Sequence, residues 1–445
     1  MQGGWRRARA VGLAATGVWL AVASTAVEPP ELSIVVDSEW ALGLRGPHSQ
    51  KLEIVAQPEL HWGLGTNTRL TAIGRLRADA FDRIEPGHPR ATEVSSLSRR
   101  GSAGDHVDFE LREFFVETQW GRTWFTLGKQ QIVWGQADGL KVLDVVNPQD
   151  FREFILDDFD DSRIPLWAMN AEVPIGEATL QLLWLPDPSY HELPEPDATF
   201  AFTAPRFLPP QVPGLLASLE PTNRPRRLLA DSDAGVRLAA FVGGFDVSLN
   251  YLYHIDNRPI FEGQRGTSPL GPTVTFTPRY RRTHLLGGTF SNAFGDLTVR
   301  GEVGWTSDRR LSVEDPSDAD LVGRTGELAY VLGLDWFGFQ DTLLSFQVFQ
   351  SWLLRDETGW LRDRLDTNLT FLARRELWNE RLRVEGIWIH NTNDGDGLLR
   401  PKLSFELRDG LTLWAGLDIF YGRSHGAFGE FDGRDRAVMG MEWGW

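Results

Sequence analysis

Seven arginines, Arg69, Arg75, Arg77, Arg112, Arg237, Arg300 and Arg383, fall within segments of alternating pattern that also carry Glu110, Glu302, Glu385 and Glu406. A separate run, Asp157-Asp158-Phe159-Asp160-Asp161, concentrates four carboxylates in five residues. Guanidinium and carboxylate groups set opposite each other around a water-filled space make a transverse field that orients dipolar or charged solutes. The same groups can instead pair with one another and fill a polar interior, and the sequence leaves both arrangements open. Several oxygens close together also suit a hard cation such as calcium. An acid run is more simply a solvated loop, so no metal site is assigned. Asn391-Thr392-Asn393-Asp394-Gly395-Asp396-Gly397 is a weaker case and reads as a tight turn.

Three pairs have the residue types of acid–base or nucleophilic chemistry: His254 with Asp256, His390 with Asn391, and Ser424 with His425. General-base work needs such groups within hydrogen-bond reach, which spacing alone does not supply. The chain has no Gly-x-Ser-x-Gly, zincin motif or phosphate loop, and it has no cysteine. No catalytic residue and no cofactor are assigned. A rim-located hydrolase stays as the third of three readings.

The elements that position these residues read as strands. Ala437, Met439, Met441, Trp443 and Trp445 are apolar at every second position, with Val438, Gly440, Glu442 and Gly444 between them. Successive strand side chains point to opposite faces, so one face is apolar and the other is not. The pattern recurs in Thr68 to Arg83, where Leu70, Ala72, Gly74, Leu76 and Ala78 oppose Arg69, Thr71, Arg75 and Arg77. It recurs in Phe245 to Asp256, where Val247, Leu249, Tyr251 and Tyr253 oppose Ser248, Asn250 and His254. Segments of about ten residues alternate between short turns and long polar loops, as in transmembrane barrels. Short turns are expected near 63–67, 121, 174–177, 243–244, 295–296, 338–341, 376–380 and 409–410. Long loops are expected near 83–104, 134–163, 186–232, 257–272, 307–325, 354–362, 391–397 and 422–434. Ten prolines in the 47 residues of 186–232 are too many for strand or helix.

Seventeen strands follow from Lys51 onward. An even count requires one more, which Ile34 to Leu44 supplies. The expected fold is therefore an all-β, transmembrane antiparallel β-barrel of eighteen strands, with sixteen as the alternative. Eighteen Trp against six Tyr supports it by placement. Trp62, Trp120, Trp336, Trp378, Trp443 and Trp445 fall beside short turns, and Trp134, Trp184, Trp305, Trp352 and Trp388 beside long loops, as two bilayer interfaces would select.

Bulk numbers agree. The chain has 445 residues, 42% hydrophobic, with a formal charge of -16; the hydrophobic share fits a barrel in which one residue in two faces lipid, and the charge argues against nucleic acid. Arg6, Arg7 and Arg9 followed by an apolar run to Ala23 read as an export signal over 1–26, which leaves 27–445 as one barrel domain. The final stretch, 437–445, resembles the C-terminal assembly signal of Gram-negative outer-membrane barrels. That resemblance implies the barrel-assembly machinery as a partner, alongside outer-membrane lipid and lipopolysaccharide.

The loop after Gln130 is the most informative. It mixes Leu140, Val142, Leu143, Val145, Val146, Phe151, Phe154, Ile155 and Leu156 with acids. A free outer loop has no need of that apolar surface, so 134–163 is expected to fold inward against the barrel wall. Lys129-Gln130, then Trp134-Gly135, then Asn147-Pro148 and the acidic-aromatic run together resemble an uncharacterised family of large proteobacterial outer-membrane proteins. The motif covers about thirty residues. The resemblance implies a barrel with an inward-folded loop and no enzymatic activity; members often accompany exporters of the resistance-nodulation-division type, which makes exporter components candidate partners. The combined reading is an outer-membrane channel for a small or moderately hydrophobic solute, constricted at 134–163, with Arg69, Arg75, Arg77, Arg112 and Arg300 facing Asp157, Asp158, Asp160 and Asp161. An exporter partner or surface platform is the alternative.

Overall fold

The computed structural model describes residues 29–46, 48–87, 93–222, 224–314, 318, 320–355 and 359–445; the export signal expected at 1–26 lies outside them. Among the described residues, eighteen antiparallel strands form one closed sheet, from Glu31–Gly43 to Arg436–Gly444. Closure is direct: Val35 pairs with Gly444 and Gly43 with Arg436. The terminal Trp445 exchanges backbone bonds with Ile34 at 2.9 and 3.0 Å. A closed sheet leaves no unpaired edge, which is what permits strands to cross a lipid phase. The count is eighteen rather than sixteen because the first segment pairs on both sides, with Ser49–Gly65 and with the last strand.

One end of the cylinder carries only short turns. Gly121 (φ 63°) and Gly410 (φ 75°) take the left-handed conformation these tight reversals need. At 378–380 three consecutive non-glycine residues, Trp378, Asn379 and Glu380, adopt it instead.

Alternation sorts the two faces as a membrane requires. Leu76, Leu249, Leu286, Leu332, Leu403 and Met441 are exposed, while Arg75, Arg77, Ser248, Asn250 and Gln347 are buried in the interior. Trp120, Trp336, Trp378, Trp443 and Trp445 lie exposed near the short-turn end, and Trp305 and Trp352 toward the other. Trp134 corrects the banding expectation. It is 1% exposed and lies inside the barrel, because the chain has already left the wall at Gln130.

The outer loops hold more structure than their composition suggested. Ile260–Ser268 and Gly271–Arg279 form a hairpin that starts within the loop expected at 257–272 and runs past its end, and Leu216–Leu219 adds a parallel third strand to it. That short strand occupies a proline-free stretch of the otherwise proline-rich 186–232 segment. The loop expected at 307–325 is shorter, since its flanking strands run to Ser312 and from Val322.

Candidate functional site

Residues 131–165 leave the wall after Thr123–Gln130 and return at Leu166–Ile175. Counting the tight connection at 44–48, this is the third outer connection, and it packs against the inner wall on both sides of the lumen. Its base is clipped by one side chain. Asn147 is 1% exposed; its Oδ1 accepts from the Ile132 amide at 2.7 Å, and its Nδ2 donates to the Ile164 carbonyl at 2.9 Å. The Pro148 carbonyl accepts from the Ile164 amide at 2.8 Å. The Asn-Pro pair thus ties the outgoing and returning chains together, satisfying buried backbone groups that have no ladder partner.

The first half of the loop is seated by shape. Trp134 fills the space above Gly235, where a Cβ would come within 2.8 Å of the indole, and its Nε1 donates to Gln181 Oε1 at 2.8 Å. Leu143 occupies a notch at Gly287 and Gly304. Around them, Leu166, Ala168, Leu183, Leu252 and Leu285 are wall residues that turn apolar groups inward. Each buried Leu of this kind contributes about 1.5–3 kcal/mol. Glu302 then holds the backbone: its carboxylate accepts from the amides of Gln136, Ala137 (2.7 Å) and Leu143 (3.0 Å).

The second half reaches the opposite wall. Phe154, with φ at 57°, packs among Phe202, Phe420, Phe428 and Phe431. Beside it, Glu153 is 1% exposed and pairs with Lys51 at 2.6 Å and Arg436 at 2.7 Å. Arg436 continues to Asp418 at 2.7 Å. Arg152 reaches Glu53 at 3.2 Å. Asp157 lies among these acids, and burial, reinforced by Glu153, pushes its carboxyl up to about 7.

The arginines singled out from sequence are placed as follows. Arg75 bonds Asp161. Arg112 donates to the carbonyls of Asp160 and Arg163, both at 2.6 Å. Arg77 pairs with Glu53 at 3.2 Å, and Arg300 with Asp138 and with Asp335 (2.8 Å). Arg75 and Arg300 therefore join loop to wall as ion pairs, Arg112 holds loop carbonyls, and Arg77 pairs within the wall. Arg69 is exposed beside the turn at 66–67, away from that group. Of the acid run, Asp160 pairs with Arg163 at 2.6 Å; Asp158 and Asp161 keep exposed surface inside the barrel. Among the described residues no cluster of three metal-ligating side chains is present.

Lys129 and Gln130 are buried at the point of departure. Gln130 Nε2 donates to the Thr126 carbonyl at 3.0 Å, and Lys129 Nζ to the Leu111 carbonyl at 2.7 Å. Gly135 packs against Asp144 and Glu302. Of the rim pairs, Asp256 is engaged by Arg309, His390 stacks on Trp388 at 5.3 Å, and His425 reaches Asp394 at 3.4 Å.

A family model described as "Protein of unknown function (DUF1302)" matches residues 47–378. The chain belongs to that family. No curated protein matches it in sequence. Solved structures with similar backbones are outer-membrane barrels: OccAB2 of Acinetobacter baumannii (TM-score 0.53, 9% identity, covering 95% of this chain and 99% of that one), and OpdK of Pseudomonas aeruginosa with vanillate (TM-score 0.51, 9% identity, 94% and 98%). At this identity they establish the fold alone; the closed barrel with its apolar outward face is what places the chain in the outer membrane.

Sequence reading missed Arg163, Asp144, Glu153, Lys51 and Arg436, all buried charges of the site. It also missed the wall positions that seat the loop. One signal was present: Leu252 interrupts the polar face of Ser248, Asn250 and His254, and it is one of the residues around Trp134.

Proposed function

We propose that this barrel is a channel for a small or moderately hydrophobic solute, with 131–165 as its constriction. The observation that carries the reading is that one loop spans the lumen, anchored by Trp134 and Leu143 on one wall and by Glu153 and Phe154 on the other. A structural plug alone would not need water-exposed Asp158 and Asp161 on the loop. The aromatic cluster at Phe154 beside the ionic seam at Glu153 suits a solute with both apolar and polar parts. Purified protein in a planar bilayer should give discrete conductance steps that grow when the loop is shortened. Absence of steps in both forms would overturn the reading.

The alternative is a platform for an exporter component. It is favoured by the three-stranded outer sheet, which leaves Leu216, Leu219 and Leu270 exposed. Copurification of inner-membrane exporter subunits that is lost when 260–279 is deleted would support it. Outer-membrane lipid and lipopolysaccharide at the apolar outer face, and the assembly machinery at 437–445, belong to either reading.

A further inference from the structure

Near its outer end the lipid-facing wall carries one continuous apolar row. Register sets Tyr251 beside Leu286, then Trp305, Leu328, Trp352 and Leu365 on successive strands. At about 4.8 Å per strand the row is about 24 Å wide. All of these side chains except Leu328 are exposed, as in an aromatic belt at a bilayer interface.

Just beyond the row the wall turns cationic. Arg324 stands on the same outward face as Leu328, four residues further out, with Gly326 between them. It is exposed, and among the described residues its side chain makes no hydrogen bond or ion pair. A Cβ at Gly326 would come within 2.9 Å of Leu354 and 3.1 Å of the Trp305 Nε1. The missing side chain thus lets the indole lie across the strand beneath Arg324, and that indole N–H has no acceptor among the described residues. To one side the Arg282 guanidinium lies 4.5 Å over Tyr253; to the other that of Arg364 lies 5.8 Å over Trp352. Two acids near Arg282 and Arg324 are already engaged, Asp233 by Arg282 at 3.2 Å and Asp308 by Arg310 at 3.1 Å. At the short-turn end, among the described residues, no cation lies over Trp120, Trp336, Trp378 or Trp443.

We propose that this face of the barrel binds a phosphorylated glycolipid of the outer leaflet, the lipid A part of lipopolysaccharide, with a phosphate on Arg324 and the acyl chains over Leu286, Trp305 and Leu328. A guanidinium offers a planar fork of donors that fits phosphate, and the Trp305 indole adds a donor beside it. Donors without acceptors above an apolar strip match a lipid whose head is rich in acceptors. The whole chain carries -16, so the complementarity is local to this rim. The end with the long loops is the one that meets the outer leaflet. The inference goes beyond the channel reading and does not depend on it.

The test titrates the full-length protein, in dodecyl maltoside, with bisphosphorylated lipid A and reads the bound fraction by native mass spectrometry. Arg324→Gln, at an exposed position with no partner to lose, should weaken binding by roughly tenfold. Trp305→Phe, which keeps the ring and removes the donor, should weaken it by a smaller factor. Lipid A stripped of both phosphates should bind the unmodified protein about as weakly as intact lipid A binds Arg324→Gln. Arg122→Gln, at an exposed arginine of a short turn, should leave binding unchanged. Full binding by Arg324→Gln, equal binding of the dephosphorylated lipid, or an equal loss in Arg122→Gln overturns the proposal. Phosphatidylglycerol that competes as well as lipid A would reduce the face to a general anionic-lipid surface and overturn the assignment to lipid A.

Discussion

Glu153 and Lys51 lie 102 positions apart and meet at 2.6 Å, both buried, one on the loop and one on the second strand. Arg436, on the last strand, closes on the same carboxylate at 2.7 Å. The seam that completes the barrel and the loop folded inside it therefore share one anion.

Removing that anion takes the shortest partner from buried Lys51 and leaves Arg436 with Asp418. Glu153→Gln is expected to destabilise the barrel by about 3–5 kcal/mol, the usual consequence of breaking a buried pair from one side. Urea unfolding followed by tryptophan emission reads the loss. Glu153→Met with Lys51→Met should recover a large part of it; no recovery would mean that the pair matters through Arg436 alone.

Asn147→Ala deletes the clip at the base of the loop and strands the buried Ile132 amide. An unsatisfied buried group costs about 1–3 kcal/mol. Because the wall ladder is untouched, the expected result is a folded barrel whose single-channel current flickers more often than wild type. A quiet trace of unchanged amplitude would count against Asn147 as the clip.

Gly235→Ala puts a methyl group where the Trp134 ring lies, at 2.8 Å. Overpacking of this kind costs about 1–3 kcal/mol. Trp134→Phe in the same chain shortens the ring and should restore stability beyond the sum of the single changes. Additive effects in this double-mutant cycle would show that the two do not share a site.

The loop carboxyl of Asp157 gives a pH dependence. Burial holds its proton up to about 7 against an ordinary value of 3.8. In the packed loop it therefore binds more protons than in a released one between those two values. The packed position is then fully stabilised below about pH 4 and loses that stabilisation as pH rises to about 7. Opening events should become more frequent over that window and level off above it. Asp157→Asn should flatten the profile; an unaltered profile would assign the dependence to another group, such as Glu192, whose carboxyl burial pushes up to about 8.

The fold was legible in the sequence because a barrel writes itself locally. Alternation of Leu70, Ala72 and Leu76 with Thr71, Arg75 and Arg77 depends only on the two-residue period of a strand, and the turn at Asp409-Gly410 only on its own backbone. Even the terminal strand announces its outward face through Met439, Met441 and Trp443. What the sequence could not fix is which inward groups meet across the lumen, since those contacts join strands and loop far apart in the chain. Trp134 looked like an interface residue until the chain's departure from the wall at Gln130 carried it inside. The arginines could set up a field or pair in the interior, and Arg75 finds Asp161 and Arg300 finds Asp138 because the loop lies within reach of both walls. Outward faces are decided by contact with lipid, which every strand meets in the same way; inward contacts are decided by closure of the cylinder, and only the tertiary structure specifies that.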